Sequence, residues 1–357
     1  MDQTAVNRLK EKILSHQHVG LRSGGSKTAL SRFNEGIDVL ETGGLSGIVD
    51  YHPEEFTFTA LAGTPIKYIF EMLAENGQYL PFDPLLVESG ATLGGTVASG
   101  LSGPGQYRYG GVRDFLLGVK FLNGEGELVQ SGGKVVKNAA GFDISKLMVG
   151  SLGQFGALVE VSFKVFPGSQ EFVTIVSEYP SLEESVEKLG GLVRLPVDIF
   201  ALDLEVSSTG YRLLVRIAIS THGSIDRIDP LVKFLDTGDI LEGSQEAHLW
   251  EIIKEFSWVP DGSVLIKVPV TLKNIPELES CLIDHKQNHY YSVGGNVAWF
   301  SWSKSLDELE GILNSLKLSG LCVLGEVTTP CLGIRPSDSF LSRVKQALDP
   351  LDRWVGV

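Results

Sequence analysis

Cysteine is scarce in this sequence: only Cys281, Cys322 and Cys331 occur among 357 residues. Their number is odd, they are widely spaced, and no two of them form a Cys-x-x-Cys pair. A disulfide framework, a zinc site and an iron–sulfur cluster bound by this chain alone are therefore disfavoured. We expect three reduced thiols, as is usual inside cells.

Basic residues are also in short supply: 30 Lys and Arg stand against 44 Asp and Glu, a formal net charge of −14. Nucleic acids and anionic membranes bind basic patches, so neither is expected as a partner. No apolar run reaches the roughly 18 residues that would indicate a membrane span. The polar opening "MDQTAVNRLKEKIL" lacks the pattern of a signal peptide. The expected location is the cytoplasm.

Two common nucleotide-binding motifs are missing as well. No Gly-x-Gly-x-x-Gly stands between a strand and a helix with an acidic residue about 20 positions later, which argues against a Rossmann domain. No glycine-rich loop ends in the Gly-Lys-Ser/Thr of a Walker motif, which argues against a P-loop NTPase.

Glycine, in contrast, is abundant, with 41 residues. Four glycine-rich segments precede residue 160, at 22–27, 88–103, 108–114 and 149–160. One such segment alone is most simply a turn, but four between predicted strands indicate a ligand that lies along exposed backbone. In "RSGGSK" the successive amides and the hydroxyls of Ser23 and Ser26 can point at one diphosphate.

The length of the chain exceeds what one core usually serves. Glycine-rich turns thin out near residue 169, so we predict domains at 1–168 and 169–320, with a strand and helix at 321–357 that return to the first. In the first domain we predict a helix capped by Thr64, with Pro65 in its first turn, and a hairpin turning at Asn123-Gly124. The second domain alternates strands with helices.

The glycine-rich segments resemble, in order and spacing, the FAD-binding domain of the vanillyl-alcohol oxidase superfamily (PCMH-type). Within it they are most similar to the family of FAD-binding E subunits of bacterial glycolate oxidase (glycolate dehydrogenase). The matching motifs are "RSGGS" (22–26), "GATLGGTVA" (90–98), "YG" (109–110), "KNAAGFD" (137–143) and "GSLGQFG" (150–156). The remainder agrees only in general layout, and the final "LDRWVGV" departs from the family's Asn-Pro-Gly.

This resemblance implies an α+β fold, in which a PCMH-type FAD-binding domain of two α+β subdomains is followed by an antiparallel-sheet cap with helices on one face. It implies FAD as the cofactor, with the first turn and Gly90–Thr92 at the pyrophosphate, the next residues at the isoalloxazine and ribityl chain, and the last loop at the adenine. The predicted cofactor-binding residues are Arg22, Ser23, Gly24, Gly25, Ser26, Ser89, Gly90, Ala91, Thr92, Gly95, Thr96, Ala98, Ser99, Gly156, Ala157 and Val159. Relatives with covalent flavin have His where this chain has Ser26, so we expect non-covalent FAD.

Flavin chemistry on a 2-hydroxy acid needs a cation for the carboxylate and a base for the hydroxyl. The candidate catalytic residues are Tyr109, Arg113 and Lys137, with Arg108 as a further cation. Next to Asp114, Arg113 is equally well placed for a local ion pair.

No residue stands out as the base, and no metal site is expected. His52 precedes a proline at a strand end, a position typical of turn packing. His285 and His289 are four residues apart but have no evident third ligand.

Three functions are compatible with these residues. The chain is an FAD-binding subunit of a 2-hydroxy-acid (glycolate) oxidase or dehydrogenase complex, with a second flavoprotein subunit and an iron–sulfur subunit as partners. Alternatively it is a stand-alone FAD-dependent oxidase of another small alcohol, sugar or lactone, or a non-catalytic scaffold subunit. An exposed patch of Trp299, Phe300 and Trp302 would support a partner surface, although packing in a core strand is the simpler interpretation.

Overall fold

The computed structural model describes residues 3–133, 143–168, 171–207, 210–219, 225–236, 238–335 and 339–356. The helices and strands are, in chain order, α1 Gln3–Ser15, β1 Val19–Arg22, β2 Asp38–Glu41, β3 Ile48–His52, β4 Thr57–Leu61, α2 Ile66–Ala74, β5 Gln78–Tyr79, α3 Leu93–Ser99, α4 Gln106–Tyr109, α5 Val112–Phe115, β6 Leu116–Leu122, β7 Leu128–Gly132, α6 Ile144–Leu147, β8 Ala157–Lys164, β9 Phe166–Pro167, β10 Glu171–Tyr179, α7 Leu182–Leu192, β11 Ile199–Ser207, β12 Gly210–Ile219, α8 Ile225–Leu235, β13 Asp239–Glu242, α9 Gly243–Glu255, β14 Val264–Pro269, α10 Ile275–Asp284, β15 His289–Ser292, β16 Val297–Trp302, α11 Leu306–Ser315, β17 Ser319–Leu324, β18 Cys331–Gly333 and α12 Ser339–Leu348. Across these ranges no helix has the length and apolar character that a membrane crossing requires.

The chain divides into two compact units of an α+β fold. The first comprises the described residues within 1–103, 110–169 and 336–357, and the second those within 104–109 and 170–335. The predicted domain boundary at residue 320 therefore falls inside β17 of the second unit, whereas α12 and the residues after it join the first.

The first unit is built on a five-stranded antiparallel sheet in the order β3-β4-β8-β6-β7. The middle strand, β8, is buried along its whole length except for its last residue. A separate parallel pair, β1 with β2, leads directly into the first glycine-rich turn. Helix α1 packs against this region through Val6, Leu9 and Ile13, which share a core with Val19 and Val159. The first glycine turn therefore follows directly after β1, a strand that is held by β2 and by the core packing of Val19.

The predicted helix and hairpin of the first unit are both present, with one difference at the helix start. Thr64 does not cap α2, because Pro65 occupies the cap position and makes no side-chain hydrogen bond. The Thr64 side chain is buried, and its Oγ1 accepts a hydrogen bond from the Gly47 amide at 2.9 Å. In the hairpin between β6 and β7, Asn123 Oδ1 accepts the amides of Glu125 and Glu127.

The end of the chain closes the first unit. Asp349 is buried after α12, and its two carboxylate oxygens accept the amides of Arg353 at 3.0 Å and Trp354 at 2.8 Å. The segment then lies along β1: the Val19 amide donates to the Arg353 carbonyl at 2.7 Å, and the Val355 amide donates to the Val19 carbonyl at 2.9 Å. Residues 353–355 of the tail are therefore a second hydrogen-bonded neighbour of the strand that precedes the glycine turn.

The second unit is a nine-stranded antiparallel sheet in the order β13-β10-β12-β11-β15-β16-β14-β17-β18. Helix α10 packs on one face, where Glu279 accepts hydrogen bonds from Tyr211 and Tyr291. Helix α9 lies on the opposite face, where Glu246 pairs with Arg216 at 2.7 Å. Two buried polar networks therefore fix the helices to the sheet.

The aromatic residues of β16 belong to the core of this second unit. Trp299, Phe300 and Trp302 are 3%, 0% and 1% exposed. The prediction of core packing is confirmed for these three residues, and they do not form the exposed partner surface considered as its alternative.

Candidate functional site: a glycine-lined cleft

Glycine-rich segments of the first unit line a cleft that encloses about 780 Å³ of space, part of it open to solvent. The lining residues are Leu21, Ser23, Gly24, Gly25, Ser26, Lys27, Leu30, Ser31, Thr42, Ala62, Thr92, Gly94, Gly95, Ala98, Ser99, Ser151, Leu152, Gly153, Gly156 and Leu158. Most of them come from three of the four glycine-rich segments, which the fold brings to one place.

The first turn owes its shape to β2. The Thr42 amide and hydroxyl both donate to the Arg22 carbonyl, at 2.8 and 3.2 Å, and so hold the end of β1. Gly25 then adopts φ +68, a left-handed conformation that favours glycine. A Cβ on Gly25 would meet no protein atom within 4 Å. Because Gly25 lines the cleft, its missing side chain leaves cleft space open.

The second glycine segment is pressed against the first. A Cβ on Gly24 would lie 2.0 Å from the Gly90 carbonyl oxygen, so no side chain fits there. Gly90 itself has φ +88. From this contact the chain enters α3, whose cap is Thr92, with Oγ1 accepting the Gly95 amide at 3.4 Å. The backbone of the first segment therefore contacts the backbone of the second directly.

The last glycine segment packs against the C-terminal turn of α3. The Gly150 amide donates to the Val97 carbonyl at 3.0 Å, and the Leu152 amide donates to the Ala98 carbonyl at 2.9 Å. A Cβ on Gly156 would lie 2.5 Å from the Leu122 carbonyl oxygen. This loop therefore depends on close backbone approach as the first turn does.

Two hydroxyls of residues that line the cleft lack hydrogen-bond partners among the described residues. They are the Oγ atoms of Ser23 and Ser151, and both are inaccessible to solvent. A buried polar group without a partner costs roughly 1–3 kcal/mol. Two such groups at one cleft fit a ligand that carries several hydrogen-bonding atoms.

The charge of the cleft comes from a single lysine. Lys27 is 6% exposed, and its Nζ lies 3.5 Å from Ser26 Oγ. Among the described lining residues there is no Asp, Glu, His or Tyr. A cleft with backbone amides, hydroxyl groups and one ammonium, and without carboxylates, suits an elongated anionic ligand. The residues present therefore fit the diphosphate-containing cofactor FAD.

The structure brings nine of the predicted cofactor-binding residues to this cleft: Ser23, Gly24, Gly25, Ser26, Thr92, Gly95, Ala98, Ser99 and Gly156. Arg22 points elsewhere, since its guanidinium pairs with Glu41 at 2.6 Å across the β1–β2 register. Six others do not line the cleft: Ser89, Gly90, Ala91, Thr96, Ala157 and Val159. Of these, Val159 contributes its side chain to the core instead.

Several lining residues escaped sequence reasoning. Lys27 is the last residue of the first glycine-rich segment, Ser31 follows four residues later, and Ser151 to Gly153 lie inside the last segment. Their signal was proximity to a glycine motif. Thr42 and Ala62 carried no such signal, because only the pairing of β1 with β2 and of β4 with β8 brings them here.

Of the candidate catalytic residues, Tyr109 and Arg113 do not line this cleft. Tyr109 belongs to the second unit, where its ring contacts Phe200 at 5.8 Å between centroids. The neighbouring Arg108 pairs with Asp198 at 2.9 Å. Arg113 is exposed, and its carbonyl accepts a hydrogen bond from a lysine of α6. Lys137 and most of the motif 137–143 lie outside the described residues.

The histidines considered for metal binding have other partners. His285 Nε2 lies 3.1 Å from Glu308, and His289 Nε2 lies 2.7 Å from Glu279. His52 Nε2 is 2.9 Å from Asp50. In the part of the chain that the structure describes, no three His, Cys, Asp or Glu side chains are grouped as a metal site.

Comparison with known proteins agrees with the geometry of the cleft. Residues 5–132 match the FAD binding domain family. The chain is 37% identical over 200 residues to glycolate oxidase subunit GlcE of Escherichia coli (strain K12), covering 56% of this chain and 57% of that protein. It is 26% identical over 250 residues to D-2-hydroxyglutarate dehydrogenase of Xanthomonas citri pv. viticola, covering 69% and 51%.

A further relative is glycolate oxidase subunit GlcD of Bacillus subtilis (strain 168), 26% identical over 159 residues, which are 44% of this chain and 34% of that protein. The chain spans about half the length of the first two relatives and a third of this one. The family match at residues 5–132 includes the first two of the glycine-rich segments that line the cleft. Residues 5–132 of this chain are therefore similar to the FAD binding domain family, and the cofactor is FAD.

Proposed function

We propose that this chain is the FAD-binding subunit of a complex that oxidises a small 2-hydroxy acid, with glycolate as the first candidate. The observation that carries the proposal is the cleft itself, which offers backbone amides, orphaned hydroxyls and one ammonium, but no carboxylate or imidazole among its described lining residues. The names of the relatives add the substrate class, since glycolate and 2-hydroxyglutarate are both 2-hydroxy acids.

The residues of the first turn have the most direct part in this proposal. The amides of Gly24, Gly25 and Ser26 and the hydroxyl of Ser23 contact the diphosphate, because such amides bind anions without cost in side-chain entropy. The small residues Gly95 and Ala98 lie along the flat parts of the cofactor, and Gly156 lies at its adenine side. FAD, when bound, supplies the acceptor for a hydride.

The absence of an acid–base group from the described lining favours a subunit over a self-sufficient enzyme. Oxidation of a 2-hydroxy acid requires a base for its hydroxyl and a cation for its carboxylate. Tyr109 and Arg113 do not line the cleft. In the proposal these groups come from partner chains, a second flavoprotein subunit and an iron–sulfur subunit, in the cytoplasm.

The first experiment tests the cofactor and its mode of attachment. Purified chain is expected to be yellow, and acid precipitation is expected to release free FAD into the supernatant, because Ser26 offers no imidazole for a covalent link. A colourless protein that takes up no added FAD would contradict the proposal. Flavin that remains in the acid pellet would contradict the non-covalent part alone.

The second experiment separates the subunit from a stand-alone oxidase. The flavin band of the isolated chain is followed anaerobically after addition of glycolate or D-lactate, with and without the proposed partner subunits. Bleaching only when the partners are present is the expected result. Bleaching of the isolated chain would establish the alternative, a self-sufficient FAD-dependent oxidase, and a sugar or lactone panel would then define its substrate.

A further inference from the structure

A second cavity lies within the second unit, at the seam where two halves of its sheet meet. Strands β11 and β15 share two register pairs, the second of which joins Glu205 to Tyr290. The residues that would pair next, Val206 and His289, both line the cavity instead. The cavity encloses about 1180 Å³ of space, part of it open to solvent, and shares no lining residue with the glycine-lined cleft.

The walls of this seam cavity are mainly apolar. Leu214 of β12 lines it together with Leu249 and Ile252 of α9. Trp258 lines it as well, and the centroid of its ring lies 5.4 Å from that of Tyr290. Ligand pockets are typically apolar with a few polar groups, and they occur where separate parts of a fold meet. The seam cavity has both properties.

The carboxylate and the imidazole that line the seam cavity already have partners. Glu205 accepts a hydrogen bond from Arg212 Nε at 2.9 Å. His289 Nδ1 lies 2.7 Å from the Gln287 carbonyl oxygen, and His289 Nε2 lies 2.7 Å from Glu279. A ligand in the cavity therefore meets a paired acidic group rather than a free negative charge.

The groups that remain for a ligand are donors and one positive charge. Trp258 Nε1 is inaccessible to solvent and has no hydrogen-bond partner among the described residues. Lys286 is exposed after α10 and forms no ion pair with the residues that the structure describes. A buried donor without a partner is rare in native proteins, and an acceptor supplied by a ligand removes its cost. The chemistry of the cavity therefore calls for an apolar molecule that carries an anionic acceptor.

We propose that the seam cavity binds a hydrophobic monocarboxylate. The apolar body of the ligand lies between α9 and the sheet, and its carboxylate is the acceptor for the donors of Trp258 and Lys286. A small 2-hydroxy acid is too polar to fill such walls, and the diphosphate of FAD carries too much charge. The seam cavity is therefore a site additional to the flavin cleft, and the inference does not rest on the proposed function.

Binding at this place has a structural consequence. The cavity is lined by residues of β11 and β12 from one half of the sheet and by residues of β15 from the other. A ligand that contacts both halves reinforces a junction that the strands themselves make through two register pairs. The melting temperature of the protein is therefore expected to rise as the ligand is added.

The first test measures binding of 2-naphthoate to the full chain by isothermal titration calorimetry, with 2-naphthalenemethanol as the uncharged analogue. Saturable binding of 2-naphthoate with a dissociation constant below about 1 mM is expected. The same affinity is expected with and without FAD. No saturable binding, or displacement of 2-naphthoate by FAD, would overturn the inference. Failure of the chain to bind FAD would refute the flavin site and leave this result intact.

The second test fills the cavity. Ile252 is half-buried and lines the cavity from α9, so Ile252→Trp is expected to weaken binding of 2-naphthoate and of the alcohol at least about 10-fold. His248→Trp is the matched control, because His248 is exposed on the same helix and does not line the cavity. If I252W does not fold, Leu249→Trp makes the same test. A folded cavity-filling variant that binds 2-naphthoate as tightly as H248W does would place the ligand elsewhere.

The third test concerns the carboxylate. Lys286→Gln is expected to weaken 2-naphthoate about 2–5-fold, the range of an exposed ion pair, and the alcohol less than about 2-fold. Lys273→Gln, at an exposed lysine that does not line the cavity, is expected to change neither. Trp258→Phe keeps a ring but removes the N–H, so a loss of about 2–10-fold is expected. Unchanged affinity for 2-naphthoate in both K286Q and W258F would overturn the assignment of a carboxylate ligand.

Discussion

Replacement of Gly25 by alanine tests the cleft most directly. Gly25 has φ +68 and lines the cleft, and a Cβ there would have no protein atom within 4 Å. The methyl group therefore fits the protein but occupies space next to the amides of the first turn. The left-handed conformation costs an L-residue about 1–2 kcal/mol, which lowers the melting temperature of apo protein by a few degrees.

The effect of G25A on FAD is expected to be much larger than its effect on stability. A methyl group that separates the diphosphate from the turn removes one or two charge-assisted hydrogen bonds, each contributing about 1.5–3 kcal/mol. FAD affinity is therefore expected to fall at least about 10-fold per bond lost. The assay is a fluorescence titration of apo protein with FAD, together with thermal unfolding of the apo form.

Gly77→Ala provides the matched control for backbone strain. Gly77 is exposed at the end of α2 with φ +60, and a Cβ there also meets nothing within 4 Å. G77A is expected to lose similar stability and to bind FAD as the wild type does. If G25A and G77A bind FAD equally well, the first turn does not contact the cofactor and the reasoning is wrong.

Three further substitutions probe other features. Gly24→Ala places a Cβ 2.0 Å from the Gly90 carbonyl oxygen. Urea unfolding of the apo protein should therefore show that G24A loses more stability than G25A does. An equal or smaller loss would contradict the close packing of these two segments. Glu246→Ala leaves the buried guanidinium of Arg216 without the Glu246 carboxylate that pairs with it. Denaturant titrations are expected to show a loss of about 3–5 kcal/mol in the free energy of unfolding. Burial lowers the pKa of Lys267 to about 8, from an ordinary value of 10.5. Between these two pH values the unfolded chain binds more protons than the folded chain, so the stability of the wild type should rise with pH. Lys267→Met should abolish this rise.

The sequence predicted the cleft better than the individual contacts in it. Glycine at positions 24 and 25 predicted close backbone approach. The structure shows it at Gly24, where a Cβ would meet the Gly90 carbonyl, whereas Gly25 has a left-handed φ and leaves cleft space open. Such local requirements can be read from residue type, because glycine is the residue that tolerates them.

Contacts that depend on strand register could not be predicted in the same way. Arg22 was expected at the diphosphate, but parallel pairing of β1 with β2 sets it opposite Glu41. Thr64 was expected to cap α2, but a neighbouring loop brings the Gly47 amide to its hydroxyl. In both cases a polar side chain had two possible partners, and residues distant in sequence decided between them.

The position of the C-terminal segment beside β1 has a consequence for how the protein is made. Strand β1, which carries the first glycine turn, has β2 on one side and the residues around Trp354 on the other. A growing chain supplies that second neighbour only after the whole nine-stranded sheet has left the ribosome. We therefore expect the flavin to be retained only once residues 353–355 have paired with β1, and we expect chains that stop before these residues to stay colourless.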